Sequence, residues 1–384
     1  MKDSFCHQSQ QTELPALTGE GSGEGLVCSI GFFDGVHRGH QCLIRQVRDE
    51  ALRRGMRSLL ITFDRHPRSV FAPAAVPPLL TTAEEKMELL RATGVDEIYV
   101  LPFDKEMAAL TAKEFMQKVL KEQLGVEVLV IGYDHRFGRP TPATKSQGTL
   151  QAANAVEGFP EYQAYGREMG IEVVLAKELE GEHVSSSEIR RALAAGDVQR
   201  ATQLLGRPYT WTGRVVHGHE VGRQLGFPTA NLEAVENGQG TMDRSAQGDA
   251  SYLKNGQGTM DNGQWTVGKM LPANGAYAAF IDELGMRNEE YNKPSSIINH
   301  QSSMLNIGSR PTIGNGSDVS IEAHLFDFHG DLYGKTLTIS FLARLRDEQR
   351  FESEEELIRQ LERDREACLK APYGPPRGTV EGKA

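Results

Sequence analysis

From about residue 25 to 184 the sequence alternates short β-branched runs with helical stretches, and beyond Tyr209 that alternation stops. Residues 26–30, 58–63, 97–101, 126–131 and 171–175 are strand candidates, and helical patterns over 41–54, 82–93 and 112–124 lie between them. Such alternation predicts a parallel sheet covered by helices, with ligands bound at the carboxyl ends of the strands. Leu43, Ile44, Val47, Ala51 and Leu52 fall on one face of the first helical stretch and are expected to be its buried side. After Tyr209 the runs are short and alternate apolar with polar residues over 211–217, 276–281, 321–328 and 336–342, with Gly, Pro and Asn between them. That texture predicts a small antiparallel barrel.

Helices frame the second texture on both sides. Ser185 and Glu188 match a capping box that opens a helical stretch running on to Leu205, which closes the first domain. Ser353 and Glu356 repeat the pattern, and Leu357, Ile358, Leu361 and Cys368 make an apolar face expected to pack on the barrel. The chain therefore divides into a Gln-, Ser- and Gly-rich flexible extension over 1–24, a first domain over 25–205 and a second over 206–384. Polar insertions interrupt the second domain at about 233–268 and 287–303, and the first holds the heptapeptide NGQGTMD twice, at 237–243 and 255–261. Seven residues is far below a solenoid period, so the first is expected to be a surface loop and not a repeat fold, and both insertions are expected to be mobile and tolerated, with adhesive contacts for a partner as the other reading.

Composition narrows the classes. With 384 residues, 39% hydrophobic and 24% charged, the chain has the makeup of a globular protein of two or three domains. A net charge of -10 lacks the basic footprint of nonspecific nucleic-acid binding, so phosphates must be bound locally. No apolar run approaches the ~18 residues of a membrane span, and the polar first ten residues lack the apolar region of a signal peptide, so the cytoplasm is the expected location. Cys6, Cys28, Cys42 and Cys368 are scattered without a C-x-x-C pair and suggest neither a zinc ribbon nor a disulfide framework.

The chemistry-bearing stretch of the first domain is GFFDGVHRGH, Gly31 to His40, directly after the first strand candidate. It puts His37 and His40 in a glycine-rich turn at a helix start, where free N–H groups and the positive dipole end attract phosphate. An H-x-G-H here is the mark of nucleotidylyltransferases, which move a nucleoside monophosphate without a covalent enzyme intermediate. The residue types suit that chemistry, because a phosphoryl centre under attack needs positioned donors for the charge on its oxygens. On the motif alone, metal ligation and plain helix capping stay open.

A second signature stands downstream: Gly206 to Leu232 (GRPYTWTGRVVHGHEVGRQLGFPTANL), NIGSRPT at 306–312 and IEAHLFDFHGDLYG at 321–334. These motifs resemble the flavokinase half of the prokaryotic bifunctional riboflavin kinase/FMN adenylyltransferase (FAD synthetase) family, and the first half resembles its adenylyltransferase half, over roughly 25–375 and in the family's order. The resemblance implies an α/β nucleotidylyltransferase domain with a Rossmann-like parallel sheet, then a small antiparallel β-barrel flavokinase domain with a C-terminal helix. It implies ATP-dependent phosphorylation of riboflavin to FMN and adenylylation of FMN to FAD. Its small-molecule substrates are ATP, riboflavin and FMN, with Mg²⁺ as metal and neither nucleic acid nor membrane as partner. A single-function kinase with a degraded first domain and a non-catalytic flavin-binding regulator are the rival readings.

For the first domain the resemblance assigns His37 and His40 to the ATP phosphates, Asp34 and Gly35 to the turn, and His66, Asp134, Arg136, Ser185, Ser186 and Arg190 to nucleotide or triphosphate contacts. Three serines at a helix start supply hydroxyl and N–H donors, although capping alone would account for them. The loop GRPTPATKSQ at 138–147 departs from the glycine- and arginine-containing stretch the family carries there. In the second domain Gly218, Gly222 and Gly226 bracket His217, His219, Arg223 and Gln224 in a loop able to approach phosphates. PTAN at 228–231 resembles the family's Mg-ATP motif, with Thr229 and Asn231 offering hard oxygens to Mg²⁺. Glu322 resembles the catalytic base, and period-two alternation puts it and His324 on the face opposite Ile321, Ala323 and Leu325.

Overall fold

The computed structural model describes residues 25–72, 75–132, 135–139, 157–218, 226–235, 258–261, 264–283, 301–310 and 318–371. Five strands, β1 (Leu26–Ile30), β2 (Arg57–Phe63), β3 (Glu97–Leu101), β4 (Val126–Ile131) and β5 (Glu172–Leu175), form a parallel sheet in the order β3-β2-β1-β4-β5. The chain winds outward from β1 through β2 to β3 and then returns to the other side of β1 for β4. The crevice at the carboxyl ends of β1 and β4 is therefore the sheet's topological switch point, where ligands bind in open α/β sheets.

Alternation along β1 shows why a run at the centre of the sheet becomes a strand buried on both faces. Leu26, Cys28 and Ile30 join Leu59, Ile61, Phe115, Met116 and Tyr162 on one side of the sheet. Val27 packs on the other, with Val128, Val130 and the α1 (Arg38–Arg54) residues Val47 and Ala51. The remaining helices around the sheet are α2 (Arg68–Phe71), α3 (Ala83–Ala92), α4 (Lys105–Ala109), α5 (Ala112–Phe115), which continues as a π-wound turn over Met116–Gln123, and α6 (Phe159–Met169). Leu52 departs from expectation: it is 83% exposed, because Ile44, Val47 and Ala51 already fill the narrow side of α1 against the sheet.

The helices α7 (Ser186–Ala194) and α8 (Val198–Leu205) lead into a closed barrel of order β10-β11-β12-β7-β6-β13. Its strands are β6 (Tyr209–Val216), β7 (Ala230–Ala234), β10 (Gly275–Glu283), β11 (Gln301–Arg310), β12 (Asp318–Leu325) and β13 (Thr336–Arg346). One apolar core spans linker and barrel: Ile189, Leu193, Leu204 and Leu205 pack with Trp211, Tyr277, Leu305, Ile321 and Phe341. The C-terminal helix α9 (Glu354–Lys370) lies on the barrel's outer face, where Cys368 and Leu361 meet Ala278, Met304 and Phe326. That face also carries a charge the apolar pattern did not register, since Asp364, 4% exposed, accepts from Arg346 at 2.9 Å.

Two capping boxes form only by half. Ser185 accepts the Glu188 N–H and Ser353 the Glu356 N–H, but Glu188 turns to Arg200 and Glu356 to the Glu352 N–H. Both polar stretches also contain ordered chain. Glu233 and Ala234 complete β7, β8 (Gly258–Asp261) and β9 (Gln264–Val267) pair as a hairpin, and β11 takes in residues 301–303 of the second stretch, with Ser303 1% exposed. Small hydroxyl residues look like loop in sequence, yet their backbone pairs as well as any other in a ladder. The first heptapeptide copy lies outside the described residues, and the second supplies β8.

Candidate active sites

Residues 31–37 turn the chain over the switch point between β1 and α1. Phe33 and Val36 hold positive φ values of 55° and 39°, uncommon for side-chain-bearing residues, and Gly35 sits at 81°. Distant groups hold this turn. The Asp34 carboxylate, 4% exposed, accepts from the Leu80 and Thr81 N–H groups at 3.0 and 3.1 Å and pairs with Arg190 of α7. Ser186 donates to the Asp34 carbonyl at 2.9 Å, Arg190 to the Pro78 carbonyl at 2.7 Å, and Arg207 to the Gly35 carbonyl at 2.7 Å. Asp34, Gly35, Ser186 and Arg190 are thus brought together as the scaffold of one turn.

His37 caps α1, its Nδ1 accepting the His40 N–H at 3.3 Å. An accepting Nδ1 carries no proton, so neutral His37 has its hydrogen on Nε2. Burial, then the charges of Arg207, Arg190 and His183, pushes its pKa down to about 4. The His40 ring stacks on it with centroids 3.6 Å apart, and burial followed by His37 and His135 lowers its pKa well below the ordinary value. The intervening glycine is a spatial requirement: a Cβ on Gly39 would stand 3.2 Å from the His37 ring and from the Val184 carbonyl.

His66, beyond the end of β2, accepts the Arg68 N–H on Nδ1 at 3.1 Å and meets the Phe32 ring edge-on at 4.9 Å. Burial, then Arg190, Arg68 and Lys86, lowers its pKa to about 4. Arg136 lies exposed beyond β4 and donates to the His135 carbonyl at 2.8 Å. Ser185 caps α7, while Asp134 and residues 140–147 of the departing loop lie outside the described residues. Two cations of the site, one buried and one half-buried, were missed in the sequence. Lys86, 5% exposed, donates to the Phe63 carbonyl at 3.0 Å with its Nζ 4.2 Å from the Phe32 ring centre, and burial lowers its pKa to about 8. Its spacing of four from the buried Leu90 was the available signal. Arg207, lowered to about 10 by burial, had none.

On the barrel, register aligns a row of polar residues across three strands, with apolar Val216 of a fourth at its end. Asn306 of β11 stands opposite Glu322 of β12, Glu322 opposite Asn231 of β7, and Asn231 opposite Val216 of β6. Ile321, Ala323 and Leu325 point into the core, leaving Glu322 half-buried on the outer face. His324 shares that face but is only 8% exposed: its Nδ1 lies 2.7 Å from the Pro228 carbonyl, and its ring meets Phe227 at 5.3 Å. His324 thus braces the loop that carries half-buried Thr229 into β7. Asn231 is 7% exposed, and a Cβ on Gly218 would run into its amide. Gly226 holds a φ of 81° at the loop's start, while Gly222, Arg223, His219 and Gln224 lie outside the described residues. His217 stacks on Tyr333, ring centres 3.9 Å apart.

A histidine pair at the switch point of a parallel sheet, joined through a shared core to a six-stranded barrel bearing an Asn/Glu row, defines a two-domain nucleotide-handling protein. Comparison with known proteins narrows the class. Residues 20–188 match the family model of FAD synthetase, and 205–371 match that of riboflavin kinase. The bifunctional riboflavin kinase/FMN adenylyltransferase of Pseudomonas fluorescens is 35% identical over 87% of this chain and 88% of its own. That of Escherichia coli K12 is 33% identical over 89% and 91%. A crystal structure described as a macrolide-efflux protein from Streptococcus pneumoniae superposes with a TM-score of 0.67 at 26% identity, covering 91% of this chain and 95% of that one. Among the described residues no helix is long and apolar enough to cross a membrane. The chain belongs to the bifunctional riboflavin kinase/FMN adenylyltransferase family.

Proposed function

We propose a division of labour between two sites in a bifunctional enzyme of flavin cofactor synthesis. The protein phosphorylates riboflavin with ATP to give FMN, and adenylylates FMN with a second ATP to give FAD and pyrophosphate. The first domain, residues 25–205, carries the adenylylation. There a phosphate oxygen of FMN attacks the α-phosphorus of ATP, the bond from that phosphorus to the bridging β-oxygen breaks, and pyrophosphate leaves. His37 donates its Nε2–H to the phosphate oxygens as charge builds on them, and stacked His40 acts beside it. The observation that carries this role is the His40 N–H on His37 Nδ1, which leaves the donor edge of a neutral ring for substrate. His66, Asp134, Arg136 and the hydroxyl and N–H groups at Ser185 complete the nucleotide contacts, while Asp34, Gly35, Ser186 and Arg190 keep the turn in shape.

The barrel domain, from residue 206 on, carries the kinase reaction. The ribityl 5′-hydroxyl oxygen attacks the γ-phosphorus, the bond to the ADP oxygen breaks, and the hydroxyl proton passes to the Glu322 carboxylate. Gly218, bare of a side chain beside the Asn231 amide, lets backbone approach the phosphates, with Gly222, Arg223 and Gly226 in the same loop. The donor set suits Mg²⁺: a hydroxyl and an amide are hard oxygens, and an ion that keeps phosphate and water ligands needs few from the protein. Thr229 and Asn231 would hold it, and it would supply neutralising charge to the phosphates. With ATP, riboflavin and FMN as partners, the place of action is the cytoplasm. Incubating pure protein with riboflavin, Mg²⁺ and ATP and separating the flavins by chromatography tests the reading, which requires both FMN and FAD.

A further inference from the structure

The strap between the hairpin β8–β9 and strand β10 leaves the barrel and docks on the first domain. Leu79 and Lys269 form a parallel bridge, the Leu79 N–H donating to the Gly268 carbonyl at 3.3 Å and the Met270 N–H to the Leu79 carbonyl at 2.7 Å. Lys269 has a side chain only 7% exposed, and its Nζ reaches both oxygens of Glu85, at 2.6 and 2.7 Å, and Thr210 Oγ1 at 3.2 Å. Glu85 closes the capping box of α3 by accepting the Thr82 N–H at 2.9 Å. The barrel therefore grips both ends of the segment 79–85. Between those ends lie Leu80 and Thr81, whose N–H groups hold the Asp34 carboxylate, and Thr81 Oγ1 accepts the Gly35 N–H at 3.1 Å.

We propose that Lys269, though it belongs to the kinase barrel, is a positioning residue of the adenylylation site, acting through Glu85 and the segment 79–82 on the turn that presents His37 and His40. This rests on the bifunctional reading above. The effect is one-sided by geometry. Lys269 touches the start of β6 at Thr210, and Asn231 lies beside the other end of that strand at Val216, six residues or roughly 20 Å away. Removing the ammonium leaves the Glu85 carboxylate without its buried counter-charge and frees it to leave the α3 cap. Small displacements of positioned groups cost rate steeply, so a shift in the turn acts on the chemical step.

The test compares wild type, Lys269→Met and Lys269→Arg, assaying adenylylation of supplied FMN and phosphorylation of riboflavin per folded protein. Lys269→Met is expected to lower kcat for FAD synthesis at least about tenfold, with KM for ATP changed less and riboflavin phosphorylation within about twofold. Lys269→Arg, which restores the charge to Glu85, is expected to recover most of the rate. If Lys269→Met does not accumulate as folded protein, Lys269→Gln, which keeps a hydrogen bond but no charge, is expected to show the same one-sided loss. Equal loss of both activities, or full adenylylation in a variant whose melting temperature alone has dropped, overturns the proposal. A wild type that makes no FAD from FMN would instead refute the bifunctional reading.

Discussion

His37 and His40 lie face to face over the first turn of α1, ring centroids 3.6 Å apart and 17° from parallel, with the His40 N–H on His37 Nδ1. The pair is at once a helix cap and a donor surface at the sheet's switch point. Two neutral rings stack without repulsion, and burial keeps both neutral at physiological pH.

The double variant His37→Ala with His40→Ala should lose FAD synthesis by at least about 10²-fold, the scale of removing preorganised charge-stabilising donors. Riboflavin phosphorylation should persist, because the phosphate-binding residues proposed for it stand on the barrel. A normal rate of FAD formation from supplied FMN would show that the histidine pair has only a capping role.

Acid should act on stability through His37. Its folded pKa lies near 4 against an ordinary 6.5, so the folded state binds fewer protons between those values than the unfolded chain. The stabilisation from the neutral ring is complete above pH 6.5 and drains away as pH falls toward 4. His37→Asn keeps a good capping acceptor without a titrating group. Urea unfolding at pH 7 and pH 4.5 should therefore show the variant losing about 2 kcal/mol less than wild type across that interval. Parallel losses in the two proteins would contradict the neutral, buried His37.

Glu322→Gln keeps the shape of the side chain but cannot accept the ribityl proton at neutral pH. Loss of a general base costs about 10²- to 10⁴-fold, whereas loss of a surface carboxylate costs almost nothing. FMN formation should fall on that scale while added FMN is still converted to FAD. A rate within a few-fold of wild type would remove Glu322 from the chemistry.

The polar stretch in the barrel domain should divide sharply in its tolerance to deletion. A short Gly/Ser linker in place of residues 236–257 should leave the melting temperature nearly unchanged, since that composition has little to bury and closure entropy grows slowly with loop length. Extending the cut through Lys269 removes the Leu79 bridge and the Glu85 ion pair, and the melting temperature should drop clearly. Equal melting curves for the two deletions would deny the strap any structural role.

The sequence alone determined what is encoded within a few residues. Period-two and unbroken apolar runs placed β1, β3 and β4 to the residue, and the glycine turn before an amphipathic run put His40 in the first turn of α1. Alternation in β12 separated Glu322 from its core-facing neighbours. The tertiary structure decided everything that depends on residues far apart in the chain. Asp34 meets Leu80 and Thr81 from 46 and 47 positions away and Arg190 from 156, and Lys269 finds Glu85 across 184. Leu52 faces solvent because its neighbours on α1 already fill the sheet side, and Ser303 is buried because its backbone pairs with Leu325 inside a closed barrel. Local pattern records which groups can be buried or can donate. Which partner satisfies them is a property of the folded chain, since only close packing brings those atoms within hydrogen-bonding distance.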